Sequence, residues 1–234
     1  LTALLPIRAG SQRVIRKNVK EFANYKFGLT ELKIRQLLKV NLFSEILIDT
    51  DLPEIETILD VLASDGLKLT NIRVEKRDAS LAGSDATTDD LIVYLADKVK
   101  TDIVLWTHTT QPFITPEIYK ESIDKFQFAL QESFDSLMTV SPLKTFIWND
   151  KGEVNYSRKI EKWPRTQTLP SWYTINSGIF IVDSMHMKNY GDRIGLKPFL
   201  FEIDKLIGWD IDDMDDFLIA ESIAKTFMKD KLFL

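Results

Sequence analysis

Near its start the chain sets a glycine, a hydroxyl and four cations within one short stretch, Arg8-Ala9-Gly10-Ser11-Gln12-Arg13-Val14-Ile15-Arg16-Lys17-Asn18. A loop of this composition can turn tightly at Gly10 and aim backbone N–H groups at phosphate oxygens. Arg8 can then grip a phosphate through a bidentate fork, and Lys17 can act as a compact charge. Neither G-x-x-x-x-G-K nor G-x-G-x-x-G is present, so it is neither a Walker loop nor a dinucleotide fingerprint. At the other end five aspartates fall between Asp210 and Asp216. In an extended segment Asp210 and Asp212 share one side. Two carboxylates so placed can hold Mg²⁺ together with phosphate oxygens and water. Asp213, Asp215 and Asp216 suit the positive end of a following helix, a role equally open to Asp210 and Asp212. One basic and one acidic cluster suit a polyphosphate and its metal ion; two solvated surface turns are the plain alternative.

The elements that must position these residues are legible in the first half. Ala3–Ile7, Ile46–Ile48 and Ile103–Trp106 are short continuous apolar runs, as expected of strands buried on both faces. Asp51 and Pro53 precede Ile55, Ile58, Leu59 and Leu62, which have helical spacing. The segment after Ser84-Asp85 repeats that spacing at Ile92, Leu95, Ala96 and Val99, with Ser84 or Asp85 as its cap. Thr115-Pro116-Glu117 signals a further helix start: a capping hydroxyl, proline at the first helical position, then an acid. Strand–helix alternation predicts parallel strands with helices on both faces, and ligands then bind beyond the carboxyl ends of the strands. Arg8, Asp49 to Asp51, and His108 to Gln111 are placed to converge there. In the second half Ser136–Val140, Phe146–Trp148, Gly152–Tyr156 and Asn176–Val182 read as strands separated by turns such as Asn149-Asp150-Lys151-Gly152. They predict antiparallel additions to the sheet or a small β-rich flap. A last helix follows the aspartates, with Ala220, Ile223, Ala224 and Phe227 on one stripe.

The composition agrees with this α/β reading. The 234 residues are 44% hydrophobic and 28% charged, enough for one domain, since cores commonly split only beyond roughly 250 residues. The expected organisation is a single three-layer α/β/α domain over residues 1–234, with an insertion around residues 143–170. No apolar run approaches the ~18–20 residues that span a bilayer. Leu1–Ile7 ends at Arg8 with no basic leader or cleavage pattern and reads as a buried strand. Cysteine is absent, which removes disulfides, thiolate metal sites and a cysteine nucleophile, and fits a cytoplasmic location. The net charge of -5 argues against a broad nucleic-acid surface.

The motif R-x-G-S-x-x-x-x-x-K-N at Arg8–Asn18 resembles the opening signature of the acylneuraminate cytidylyltransferases, the CMP-sialic acid synthetases, with CMP-Kdo synthetases as more distant relatives. The family has lysine-glycine where this chain has Gln12-Arg13, and often proline at Ile15, so Arg13 stands in for a lysine contact. Ile48-Asp49-Thr50-Asp51 resembles the family's V-S-T-D. Arg77 with Ser84-Asp85-Ala86-Thr87 resembles the R-P … S-D-T-S segment, which implies that Arg77 and Ser84 contact cytosine. Thr107-His108-Thr109-Thr110-Gln111-Pro112 stands where the family has L-Q-P-T-S-P, with His108 replacing a sugar-binding glutamine. Pro142-Leu143-Lys144-Thr145 resembles P-L-K-T, with its lysine near the active site. Pro164-Arg165 resembles the P-R pair whose arginine meets the sugar carboxylate. Asn176-Ser177-Gly178-Ile179-Phe180 resembles N-G-A-I-Y, with Phe180 replacing a hydroxylated aromatic. Asp210-Ile211-Asp212 and Ala220-Glu221 resemble the family's D-I-D … A-E ending.

The resemblance implies a nucleotide-diphospho-sugar transferase-like α/β sheet. It also implies attack by a sugar's anomeric hydroxyl on the α-phosphorus of CTP, with loss of pyrophosphate. Arg8, Gly10, Ser11, Lys17, Asn18, Arg77 and Ser84 would hold the nucleotide. His108, Lys144, Arg165, Asn176 and Phe180 would meet the sugar, and Asp210 and Asp212 the Mg²⁺. Arg8, Lys17 and Asp212 are the expected catalytic set. No residue is an unambiguous general base; His108 can serve as one, or be a buried or sugar-binding side chain. The sugar class spans sialic acid, its deaminated analogue, legionaminic or pseudaminic acid, and eight-carbon ulosonic acids. A homodimer is implied, and the aromatic stretch around Trp148, Trp163 and Trp172 suits either such contact or core packing. Two rivals stand beside this reading: another sugar nucleotidyltransferase, and a nucleotide-binding relative without catalysis.

Overall fold

The computed structural model describes residues 1–11, 13–83 and 86–227. Gln12, Ser84 and Asp85 lie outside the described residues, as does the side chain of Phe227. The three apolar runs of the first half are strands: β1 (Thr2–Ile7), β2 (Glu45–Thr50) and, after the edge strand β3 (Ile72–Lys76), β4 (Ile103–Thr107). They pair in parallel in the order β3-β2-β1-β4. The chain then adds β5 (Ser136–Leu143), two short strands β6 (Trp148–Asn149) and β7 (Gly152–Glu153), the long β8 (Trp172–Asp183) and β9 (Pro198–Glu202). β8 lies between β4 and β5 and runs against both, while β5 and β9 are parallel, completing the order β3-β2-β1-β4-β8-β5-β9.

The sheet is buried on both sides, so successive residues feed opposite layers. Ala3, Leu5, Ile7, Ile46, Ile48, Leu105, Ile179 and Ile181 enter one core, against helices α1 (Gly28–Val40), α2 (Ile55–Ser64) and α4 (Pro116–Gln131). Leu4, Leu47, Val104, Trp106, Phe180 and Val182 face the other layer, with α3 (Thr88–Ala96) and α5 (Ser184–Tyr190). This is the expected α/β architecture of a mostly parallel central sheet with helices on both faces.

Local details differ from the sequence patterns in four places. The expected strands Phe146–Trp148 and Gly152–Tyr156 shrink to the two-residue β6 and β7, closed by the turn at Gly152, whose φ is +127°. They pair only with each other, so no neighbouring strand extends them. Helix α3 is capped by Thr87 rather than by Ser84 or Asp85. Thr87 Oγ1 accepts from the Asp90 amide, and the Asp90 carboxylate accepts from the Thr87 amide, a reciprocal capping box. Val99 lies past the end of α3, its amide bonded to the Leu95 carbonyl. Thr115 occupies the N-cap position of α4, but its hydroxyl makes no cap bond; Pro116 at the start removes one orphan N–H instead.

A third apolar cluster decides where the site forms. Val14 from the basic loop packs with Phe22, Leu29 and Phe113 and with Ile211, Phe217 and Ala220 of the C-terminal segment, which enters helix α6 (Met214–Phe227). Fully burying a side chain such as Val or Ile is worth about 1.5–3 kcal/mol, so the basic and acidic ends are held together by packing rather than by their charges. Among the described residues no helix is long and apolar enough to cross a membrane.

Candidate functional site

Two adjoining clefts of about 360 and 300 Å³ open at the carboxyl ends of β1 and β4 and share Pro6, Arg8 and His108. The first is lined by the basic loop (Arg8, Gly10, Ser11, Arg13, Lys17 and Asn18), by Thr109 and Thr110, and by Asp212. The loop is braced from beneath. The Asn18 amide group donates to the Arg8 carbonyl at 2.7 Å, and its oxygen accepts from the Thr109 hydroxyl at 2.7 Å. Asn18 therefore ties the β1 loop to the β4 loop. The Ala9 amide donates to Asp51 at 2.7 Å, which adds the end of β2. Of the residues expected to converge here, Arg8, His108, Thr109 and Thr110 line the clefts and Asp51 braces the loop, whereas Asp49 is buried against Arg77 and Gln111 against the Asn176 carbonyl.

Lys17 crosses to the acidic segment, its Nζ donating to the Ile211 carbonyl at 2.6 Å. Burial lowers its pKa, and the charges of Asp210 and Asp212 oppose that shift. Asp210 is shifted up by burial, against hydrogen bonding from Thr110 and Gln111 and the charge of Lys17, while neighbouring Asp212 adds to the rise. Asp212 is more open and pairs with Arg13 at 2.9 Å. Asp216 and Asp213 close the start of α6 reciprocally. The Asp216 carboxylate accepts from the amides of Asp212 and Asp213, and Asp213 accepts from the Asp216 amide. The structure thus separates the aspartates by task, leaving the carboxylates of Asp210 and Asp212 beside Lys17.

Arg77 lines the second cleft but is largely committed below it. Its Nε donates to Asp49 at 2.6 Å in a pair sealed from solvent, with side chains 3% and 0% exposed. His108 is likewise saturated. Its Nε2 lies 2.9 Å from Trp106 Nε1 and 3.2 Å from Arg193, both donors, so Nδ1 carries the proton toward the Ser177 carbonyl at 2.8 Å. Burial and the Arg193 charge push its pKa down to about 4. With both nitrogens occupied, the ring is a neutral strut rather than a proton acceptor.

This has a measurable consequence. Below pH 6.5 the unfolded imidazole takes up a proton that the folded ring refuses until about pH 4. Stability therefore falls as pH drops through that window, by up to about 2–3 kcal/mol. Urea unfolding at pH 7 and pH 4.5 should show this loss, and His108→Gln should reduce it. An equal acid loss in the variant would place the titrating group elsewhere.

The other residues expected at a sugar are arranged differently. Asn176 is an internal brace: its amide donates to Ser141 Oγ, and its oxygen accepts from the Thr139 hydroxyl and the Gly178 amide. It also leaves no room beside Gly208, where a Cβ would come within 2.6 Å of Asn176 Nδ2. Phe180 is buried beneath the Arg193 guanidinium, 4.1 Å from the ring centroid. Lys144 and Arg165 are exposed on the segment between β5 and β8 and line neither cleft. On that segment Trp148 and Trp163 are 57% and 67% exposed and flank Arg158. Sequence patterning does not single out Arg193: it lies in the Gly191–Gly195 loop, outside any motif, and its partners come from β4 and β8.

A model of the family described as "Cytidylyltransferase" matches residues 2–198. Two pseudaminic acid cytidylyltransferases of Campylobacter jejuni subsp. jejuni are 26% and 25% identical over 227 residues, covering 95% of this chain and 95% of each relative. Among solved structures, 4-diphosphocytidyl-2C-methyl-D-erythritol synthase of Anaerococcus prevotii is similar in fold, with a TM-score of 0.67 at 14% identity, covering 96% of this chain and 97% of that one. A CMP:2-keto-3-deoxy-manno-octonic acid synthetase complexed with CTP gives 0.63 at 16% identity, covering 95% and 97%. The match over most of its length, on a sheet of the same fold, shows that the chain belongs to the cytidylyltransferase family.

Proposed function

We propose that the chain transfers a cytidylyl group from CTP to an acidic 2-keto-3-deoxy sugar of the sialic-acid class. The sugar's anomeric oxygen forms a bond to the α-phosphorus, the bond to the β-phosphate breaks, and pyrophosphate leaves. The observation that carries this reading is the junction of the Arg8–Asn18 loop with Asp210–Asp212, made by Lys17 at the Ile211 carbonyl. The two relatives named for pseudaminic acid, 26% and 25% identical, support an acidic nine-carbon sugar.

In this reading Arg8 and Lys17 neutralise the phosphates and the departing pyrophosphate, while Gly10, Ser11 and the Asn18 brace set the loop's shape. A displacement of this kind needs positioning and charge stabilisation more than a covalent nucleophile. Among the described residues no group of three or more His, Asp or Glu is placed to hold a metal. Asp210 and Asp212 nonetheless fit Mg²⁺, which is satisfied by one or two carboxylates plus phosphate oxygens and water. When bound, Mg²⁺ would neutralise phosphate charge and lower the pKa of the sugar hydroxyl. In this reading the cytosine base enters the second cleft, which Arg77 borders. Lys144 and Arg165, on the 143–170 segment, belong to the reading if a second copy of the chain brings them to a site, and we include a homodimer in the proposal. A cytoplasmic location accords with the supply of CTP.

The deciding experiment is pyrophosphate release with CTP, Mg²⁺ and a panel of 2-keto-3-deoxy acidic sugars, with UTP and ATP as controls. Release with CTP and one such sugar is expected. CTP binding without turnover would favour an inactive relative, and loss of both would sink the reading.

A further inference from the structure

Helix α1 presents polar side chains, spaced by three, to the floor of the site. Thr30 Oγ1 donates to the Asn18 carbonyl at 2.8 Å, beneath the residue that braces the basic loop. One turn on, Lys33 Nζ donates to the Gln111 carbonyl at 2.8 Å, and Gln36 Nε2 donates to the Pro112 carbonyl at 2.8 Å. These two carbonyls belong to the loop after β4, and that loop grips the acidic segment. The Ile211 amide donates to the Thr110 carbonyl at 3.0 Å, and the side chains of Thr110 and Gln111 hydrogen-bond to the Asp210 carboxylate. Gln111 Nε2 also donates to the Asn176 carbonyl. One helix therefore seats both the basic loop and the loop that holds the aspartates.

Among these anchors Lys33 is the costly one. It is fully buried, and among the described residues no carboxylate pairs with it. Burial holds its pKa well below the usual lysine value, and no acid opposes the shift. A buried amine without an acid lowers stability. Methionine would fill a similar volume without that penalty, so packing alone gives no physical reason for an amine here. The amine is itself held in place. Thr107 Oγ1 donates to the Gly178 carbonyl, so the Tyr119 hydroxyl donates to Thr107 and accepts from Lys33 at 2.9 Å. Tyr119 fixes the amine, and the amine fixes Gln111.

We propose that Lys33 is a positioning residue that acts through Gln111 to keep the Asp210–Asp212 segment against the basic loop. The kinetic part of this inference rests on the role proposed above for those carboxylates.

The test compares wild type with Lys33→Met, Lys33→Gln and Tyr119→Phe. Amide hydrogen exchange at Ile211, read by NMR, is set beside exchange at Ile203, whose amide is bonded to the Val140 carbonyl. Lys33→Met should speed exchange at Ile211 roughly tenfold or more and leave Ile203 unchanged. With CTP and the active acidic sugar, it should lower kcat roughly ten- to a hundredfold and leave both KM values unchanged. Lys33→Gln retains an N–H donor and should lie between Lys33→Met and wild type in both readouts. Tyr119→Phe removes a partner of the same amine but not the Gln111 bond. It should leave both readouts near wild type even where it lowers the melting temperature. Unchanged Ile211 exchange in Lys33→Met would overturn the proposal, as would a kcat that follows melting temperature across the three variants. Failure of both Lys33 variants to fold would also overturn it and make Lys33 a packing residue. Wild type that turns over no acidic sugar defeats the proposed reaction, and the exchange measurement then decides on Lys33 alone.

Discussion

Replacing Asp212 with alanine is expected to lower turnover by roughly a hundred- to a thousandfold or more while leaving the fold intact. The two halves of this expectation have separate physical grounds. Asp212 contributes little to stability, because its side chain is 55% exposed and its partner Arg13 is 67% exposed. Exposed pairs of this kind contribute about 0–1 kcal/mol. Its backbone stays in place through Asp216, which accepts from the Asp212 amide whatever side chain stands there. The loss in rate follows from the proposed role beside Lys17, where charge must be matched as the phosphate bond breaks. Pyrophosphate release at saturating substrates, set beside a thermal melt, reads both halves. Near-normal turnover in Asp212→Ala would remove the residue from the mechanism. Asp210 is a poorer probe, since it is half-buried and hydrogen-bonded to Thr110 and Gln111, and its loss would disturb the segment itself.

The second large effect is on stability. Arg77→Met should destabilise the fold by about 3–5 kcal/mol, because it strands the Asp49 carboxylate in the core. Asp49 is fully buried, and its Oδ1 lacks a hydrogen-bond partner among the described residues, so Arg77 is its main compensation. Burial raises the Asp49 pKa and the Arg77 charge resists the shift. Removing both charges, as in Asp49→Leu with Arg77→Met, should recover most of the loss, since a buried pair is worth little against well-packed apolar residues. Chemical unfolding of the two single variants and the double variant measures this. A double variant as unstable as the sum of the singles would show that the residues act independently.

The parts of the fold legible in the sequence are those whose pattern reflects one kind of burial. β1, β2 and β4 are continuous apolar runs because both faces of the sheet are covered, and α2 shows its stripe because only Ile55, Ile58 and Leu62 are buried. Helix α1 is hidden for the opposite reason. It is buried nearly all round, and polar Thr30, Glu31, Lys33 and Gln36 fill positions where an apolar stripe would be read. Lys33 is accommodated by the Gln111 carbonyl and the Tyr119 hydroxyl, partners that no local pattern announces. β3 carries Arg73 and Glu75 at the sheet edge, and β9 pairs only with β5, so neither stands out. At the site, the order of motifs marks the loops that converge, but not the commitments of individual side chains. That Arg77 serves Asp49, that Asn176 packs tightly against Gly208 and that Arg193 stacks over Phe180 and Trp106 depend on contacts between distant segments.

The bond from Lys17 to the Ile211 carbonyl spans 194 residues of chain. A ribosome adding about 5–20 residues per second makes the basic loop first and supplies its partner roughly 10–40 s later. The first half of the sheet can pair in that interval, since β1, β2, β3 and β4 are all made early. The junction closes only when Ile211 emerges, so a nascent chain passes through a long interval with its sheet begun and its chemistry absent. The order of synthesis thus makes the last segment a final check on the first, and a chain cut short before Asp210 lacks the carboxylate pair on which the proposed mechanism rests.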